Sequence, residues 1–335
     1  MTRRYILPVL AIAMVSLVGC QKQTSETATS TENVPKAEIA PLYKQIEAFD
    51  LMPDTTRVAF IDSNREALEA LSVIYNEDLT DSPTLRSLSQ RPSTVIFSQA
   101  VDSLLPAATV DSVEIALGLA FANMNRELPQ IPIPRLYGII YPVKDRWILT
   151  VDDIMFIGLN HFLGAEFDGY NSMYNYQRLG KTPRRLPYNV IEALVATAYP
   201  FQPGEQNTAL TRMVYNGALT MAMQKIVDKA SLAETLNMTD DQLRWADENE
   251  KQIWQKMVAD QMIFSTDPAI GDRLTLPAPN TPIIHPDAPG RIGTYIGYRI
   301  VASYLKNNPE ATLEQVLSPE FYASPGVLAT AGYNP

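Results

Sequence analysis

Pro289-Gly290-Arg291-Ile292-Gly293-Thr294-Tyr295-Ile296-Gly297-Tyr298-Arg299-Ile300-Val301-Ala302-Ser303-Tyr304 reads as a helix that starts behind a proline–glycine turn. Gly293 and Gly297 are four positions apart and share a face, so another backbone or side chain can approach closely there. A second helix, capped near Thr239, is expected to run through Trp245-Ala246-Asp247-Glu248-Asn249-Glu250 to Ile253-Trp254. On it Leu243, Ala246, Trp254, Met257 and Gln261 make a stripe, and Glu250 falls in its centre. A carboxylate in that position is costly unless it is paired. The expected partner is Arg291 or Arg299 of the glycine-bearing helix, and a polar cleft that binds a ligand is the alternative. A third helix, beginning near Pro187, places Val190, Leu194 and Ala198 on one face and Ile191, Glu192 and Val195 on the next.

Upstream, the chain from Ala40 to about Leu128 has a mainly helical pattern. Its clearest stretches are Asn64 to Leu71 and Asp111 to Arg126, the latter with Asp111 as a cap and Glu114 at the capping-box position. Pro129, Pro132 and Pro134 end that region. Leu136 to Tyr141 and Trp147 to Val151 then read as a hairpin across Pro142 to Arg146. Asp152-Asp153 follows, more suited to helix capping than to holding a cation. From Leu186 onward the pattern is helical, with a proline-rich connection at Leu276 to Pro289. The expected class is α+β, helix-dominated, with a small strand lobe and N-terminal helices.

The composition fits a folded chain: 46% of the 335 residues are hydrophobic and 19% charged. A net charge of -10 repels phosphate backbones, so nucleic acid is not an expected partner. Cys20 is the one cysteine, which excludes an internal disulfide and a thiolate metal cluster. The two histidines, His161 and His285, lie far apart in sequence and cannot be paired ligands on one helical face. His161 is expected to be a satisfied structural histidine, a ligand role being the alternative. The sequence shows no Gly-rich phosphate loop, nucleophile elbow or Ser-x-x-Lys motif. No cofactor is expected.

Arg3-Arg4, the apolar run Tyr5 to Val18 and the ending Leu17-Val18-Gly19-Cys20 form a bacterial export signal with a lipobox. Residues 1–19 are expected to be removed and Cys20 to carry acyl chains that hold the protein to a bilayer. Residues 20–39 read as a polar tether, 40–128 as an N-terminal helical region and 129–335 as the main domain. With no acidic cluster directly after Cys20, the expected place is the outer membrane, facing the periplasm.

The two helical segments quoted first, with the lipobox and the stretch Ile148 to Gly164, resemble GldB, the gliding-motility lipoproteins of Bacteroidetes. The likeness extends over roughly Leu136 to Leu317. It implies a role in gliding and the associated type nine secretion machinery, with envelope proteins as partners. GldB proteins in turn resemble zincin peptidases, in which a helix carries HExxH and a later helix supplies a glutamate. In this sequence those positions fall on Ile191-Glu192-Ala193-Leu194-Val195 and on Asn216-Gly217-Ala218. The resemblance therefore implies a zincin-like body whose ligand positions are occupied by Ile191, Val195 and Asn216, with Glu192 alone keeping its type. Glu250, Arg291, Glu192, Asn216 and His161 are the candidate binding residues. The expected function is non-catalytic binding or scaffolding, against the alternative of a metal-dependent periplasmic peptidase or hydrolase whose site lies elsewhere.

Overall fold

The computed structural model describes residues 35–143 and 147–335; Cys20, the expected export signal and the expected tether as far as residue 34 lie outside them. The described chain opens with β1 (Ile39–Ala40), α1 (Leu42–Ala48), α2 (Asp54–Ser63), α3 (Arg65–Tyr75), α4 (Ser82–Ser89), α5 (Pro92–Leu104) and α6 (Ala107–Glu127). Strands β2 (Arg135–Ile139), β3 (Ile148–Val151) and β4 (Ile154–Gly158) follow. The remainder is helical: α7 (Asn175–Arg178), α8 (Leu186–Ala198), α9 (Ala209–Ile226), α10 (Leu232–Leu236), α11 (Asp240–Glu248), α12 (Glu250–Ala259), α13 (Pro268–Thr275), α14 (Ile292–Asn307), α15 (Leu313–Leu317), α16 (Pro319–Tyr322) and α17 (Val327–Ala331). The class is α+β and helix-dominated, as expected.

The strands form one sheet in the order β1-β2-β4-β3. β2 runs parallel to β4, with Leu136 opposite Met155, while β3 and β4 are antiparallel, with Ile148 opposite Ile157. The expected hairpin between Leu136–Tyr141 and Trp147–Val151 is thus corrected: the hairpin is β3–β4, and Asp152-Asp153 is its turn rather than a helix cap. Asp152 takes the left-handed conformation at φ 52°, and Asp153 pairs with Arg135 at 3.1 Å. β4 inserts between β2 and β3 and is buried along its whole length. Because side chains alternate across a strand, its two faces feed two cores. Met155 and Ile157 join the large cluster built on α6, α8, α9 and α14. Ile154 and Phe156 join Leu42, Phe49, Leu68, Leu71 and Leu85 of the N-terminal helices.

That division differs from the expected boundary at residues 128 and 129. α6 contributes Leu117, Phe121 and Met124 to the large core, and β1 belongs to the sheet. Residues 36–39, counted with the tether by composition, are pinned to α6. The Ala37 amide donates to the Glu114 carbonyl, and the Ile39 amide donates to the buried Glu114 carboxylate at 2.8 Å. Glu114 is therefore a clamp for the incoming chain and not a capping-box residue; α6 starts earlier, behind Pro106, which leaves Asp111 in mid-helix.

α9 lies at the centre and is buried on most sides, which matches its weak amphipathic pattern. α14 crosses it at paired glycines. A Cβ on Gly297 would overlap the Met213 carbonyl oxygen, and one on Gly217 would overlap the backbone of Gly297. Gly293 meets a different neighbour, Leu274 of α13, whose Cβ lies 2.7 Å from where its own would be.

Candidate functional site

The helix expected to carry Glu250 in mid-stripe is two helices. α11 ends at Asn249, whose side chain donates back to the Trp245 carbonyl at 2.7 Å, and α12 starts at Glu250. Glu250 is largely buried, and Arg299 grips both of its oxygens, with Nε at 3.1 Å and an NH2 nitrogen at 2.9 Å. The Tyr333 hydroxyl donates to the same carboxylate at 3.0 Å. Beside it the Tyr295 hydroxyl donates to Asp247 at 2.7 Å. Burial and these carboxylates push both tyrosines well above the usual phenol range. The network ties the α11–α12 junction, α14 and the C-terminal segment together.

Arg291 does not join that network; it turns to Glu192 at 3.4 Å. Preceded by Pro289-Gly290, it caps α14 in the left-handed conformation at φ 63°. Its guanidinium also donates to the Leu236 carbonyl at 3.5 Å, while its buried Nε has no hydrogen-bond partner among the described residues. Arg185, which the sequence reading missed, is buried nearby and donates to the carbonyls of Glu234 and Thr235. Burial pulls its guanidinium down to about 10, with the Arg291 charge acting in the same direction and Glu192 opposing it. Glu234 is held in turn by Tyr188 at 3.0 Å and by Arg184 at 2.5 Å. Nothing in the doublet Arg184-Arg185 marks which arginine would be buried.

At the other two positions of α8 where the resemblance to zincins expects ligands, Ile191 and Val195 are core residues, at 0% and 1% exposure. Asn216 lies on α9, and its amide donates to the Arg212 carbonyl at 2.8 Å. These side chains offer two hydrocarbons and an amide engaged with its own helix where zinc would need imidazoles and a carboxylate, so they do not fit that metal. Among the described residues no group of three or more His, Cys, Asp and Glu side chains gathers in a way that would hold a metal ion.

His161 sits at the end of β4, away from both ion-pair networks. Its Nε2 donates to the Tyr141 carbonyl at 2.7 Å, which leaves Nδ1 to accept from Lys181 at 3.0 Å. Burial, with the Lys181 charge next, pulls the imidazole down to about 4. Lys181 is itself fully buried, with its ammonium 4.1 Å from the Trp147 ring centre and 5.1 Å from that of Tyr170. The sequence offered no signal for it, since a lone lysine between Gly180 and Thr182 reads as surface. Of the five candidates, Glu192 and Arg291 are in direct contact. Glu250, Asn216 and His161 each serve a separate local purpose.

A helix-dominated α+β body whose candidate polar groups are engaged in ion pairs and backbone hydrogen bonds is the class that the geometry defines. The description "Gliding motility protein GldB" matches residues 24–335, and the chain belongs to that family. No curated protein and no solved structure matches it. Membership implies involvement in gliding motility, and the family is one of lipoproteins, consistent with anchoring to a membrane through lipid.

Proposed function

We propose that this protein is a non-catalytic binding or scaffold component of the gliding and type nine secretion machinery. In this reading it is held by acylated Cys20 on the outer membrane and faces the periplasm. The body is a degenerate zincin-like one, its metal site lost. The observation that carries the reading is the state of the α8 residues: Ile191 and Val195 are committed to the core, and Glu192 is committed to Arg291. A glutamate without a metal-bound water of lowered pKa has nothing to deprotonate. Support for the anchor comes from the order of charge, apolar run and lipobox in residues 1–20.

Metal analysis of the purified full-length protein, combined with a peptidase assay, tests this. The expected result is zinc far below one per chain and no activity that responds to a chelator. Near one zinc per chain, with peptidase activity lost on chelation, would overturn it. Crosslinking in the native envelope is expected to join the protein to motility or secretion components.

A further inference from the structure

Where the described chain begins, an open trough of about 1070 Å³ lies between the β1–α1 segment and the start of α6. Its floor is apolar, with Ile39, Leu105 and Leu159. Its rim carries Glu38, Asp102, Asp111 and Glu114 against Lys36 and Lys44, a formal excess of negative charge. Lys36 reaches Asp111 at 2.6 Å and Glu114 at 3.0 Å, and Lys44 reaches Asp102 at 3.0 Å. Glu38 is exposed and forms no ion pair among the described residues. The Lys36–Asp111 and Lys44–Asp102 pairs are about half exposed on both sides and therefore weak, so an incoming cation can take Asp111 or Asp102 at small cost, while the buried Glu114 stays with Lys36 and the Ile39 amide.

We propose that this trough docks an extended, cationic peptide segment of an envelope partner, its basic side chains on the acidic rim and intervening apolar ones on the floor. The inference rests on the binding-component reading and names the chemistry of what is bound. Charge complementarity selects the occupant. Anionic lipid surfaces are repelled by the rim, and a second copy of this chain, itself at -10, is a poor complement. The chain's own segment 21–34 is also poor, with Lys22 against Glu26 and Glu32. Strand addition is not the mode. On the outer edge of β1 the amides of Ala37 and Ile39 are already taken by Glu114, and Pro41 has none to give. Side chains must therefore hold the peptide.

The test uses the full-length lipidated protein in neutral detergent and two short fluorescent peptides, one alternating lysine with leucine and one alternating glutamate with leucine. Anisotropy should show binding of the lysine peptide, weakening as salt is raised. Glu38→Lys, which reverses an exposed rim charge, and Ala108→Trp, which fills the trough from α6, should each weaken binding by about tenfold or more while the unfolding midpoint stays put. Equal binding of the glutamate peptide, or unchanged binding in both variants, would overturn the proposal. So would displacement of the lysine peptide by a free peptide of residues 21–34, which would assign the trough to the tether. A zinc-dependent peptidase result would remove the non-catalytic reading without touching these measurements, and failure of docking would leave that reading intact.

Discussion

Replacing Gly297 with alanine tests the packing that organises the whole helical body. The new methyl group would overlap the Met213 carbonyl oxygen, a backbone atom that cannot rotate away as a side chain would. Carbon atoms rest about 3.5 to 4.0 Å from their non-bonded neighbours, so α14 and α9 must separate along their crossing to admit it. That separation loosens a contact formed by Gly217 on one helix and Gly297 on the other and unpacks Met213, Val214 and Ile300 around it. Overpacking of a core costs about 1 to 3 kcal/mol when side chains can adjust; here the obstacle is backbone, so the cost exceeds that range. Alanine returns about 1 kcal/mol of helix propensity. The net loss is expected to be about 2 to 4 kcal/mol, which for a chain of this size lowers the thermal midpoint by roughly 3 to 6 °C. Gly293→Ala, facing the Leu274 Cβ at 2.7 Å and its carbonyl oxygen at 2.8 Å, further away than the Met213 oxygen is at Gly297, should lose less, and Gly326→Ala, with no neighbouring atom closer than 3.9 Å, should stay within about 0.5 kcal/mol. Denaturant melts of the three variants would refute the argument if Gly297→Ala were no more destabilised than Gly326→Ala.

Glu250→Ala strands the Arg299 guanidinium and the Tyr333 hydroxyl, but Arg299 is 43% exposed and can rehydrate, so the expected loss is about 1 to 2 kcal/mol rather than that of a fully buried pair. The same melts with Arg299→Ala and the double variant should show a clearly non-additive pair; additive losses would mean that the contact does not stabilise. His161, held at about 4 against an ordinary 6.5, lets the unfolded chain bind more protons between those values, so its contribution is complete above about pH 6.5 and falls as pH drops toward 4. That loss amounts to about 3 kcal/mol, and nitrogen-detected NMR should show His161 as the neutral Nε2–H form from pH 7.5 to 5; a midpoint near 6.5 would refute the burial argument. Cys20→Ser is expected to accumulate as an unprocessed precursor without lipid, and incorporation of labelled palmitate into that variant would show that the anchor lies elsewhere.

Some of this architecture was legible because it depends on local chemistry. The spacing of Gly293 and Gly297 announced a close crossing, and Thr239 announced a cap, which the structure completes with Gln242. Where the reading failed, the information was not local. The stripe from Leu243 to Gln261 keeps its period across Asn249, so the break between α11 and α12 is invisible to periodicity; only the backbone at Asn249 reveals it. β4 is buried on both faces, so Ile154-Met155-Phe156-Ile157 shows no alternation and could not be distinguished from other apolar runs. Without it the neighbouring strands were paired with each other. β1 is two residues long, and its place in the sheet depends on Glu114, far along the chain.

The candidate residues divide along the same line. Partner chemistry was readable: a carboxylate amid apolar neighbours needs a cation, and Glu250 has Arg299. Partner choice was not, because Arg291 and Arg299 lie on one helix and only the turn at Pro289-Gly290 decides that Arg291 faces Glu192. Once those assignments are made, each polar group on α8, α12 and α14 singled out as a candidate is committed to a neighbouring element, and releasing it for a ligand would cost the packing that it secures. The rim of the trough beside α6 is different. The Lys36–Asp111 and Lys44–Asp102 pairs are substantially exposed and exchangeable, so a partner can take those two carboxylates without unfolding anything. Under the proposed binding role, that difference in the cost of release favours the trough over the buried ion pairs as the docking place.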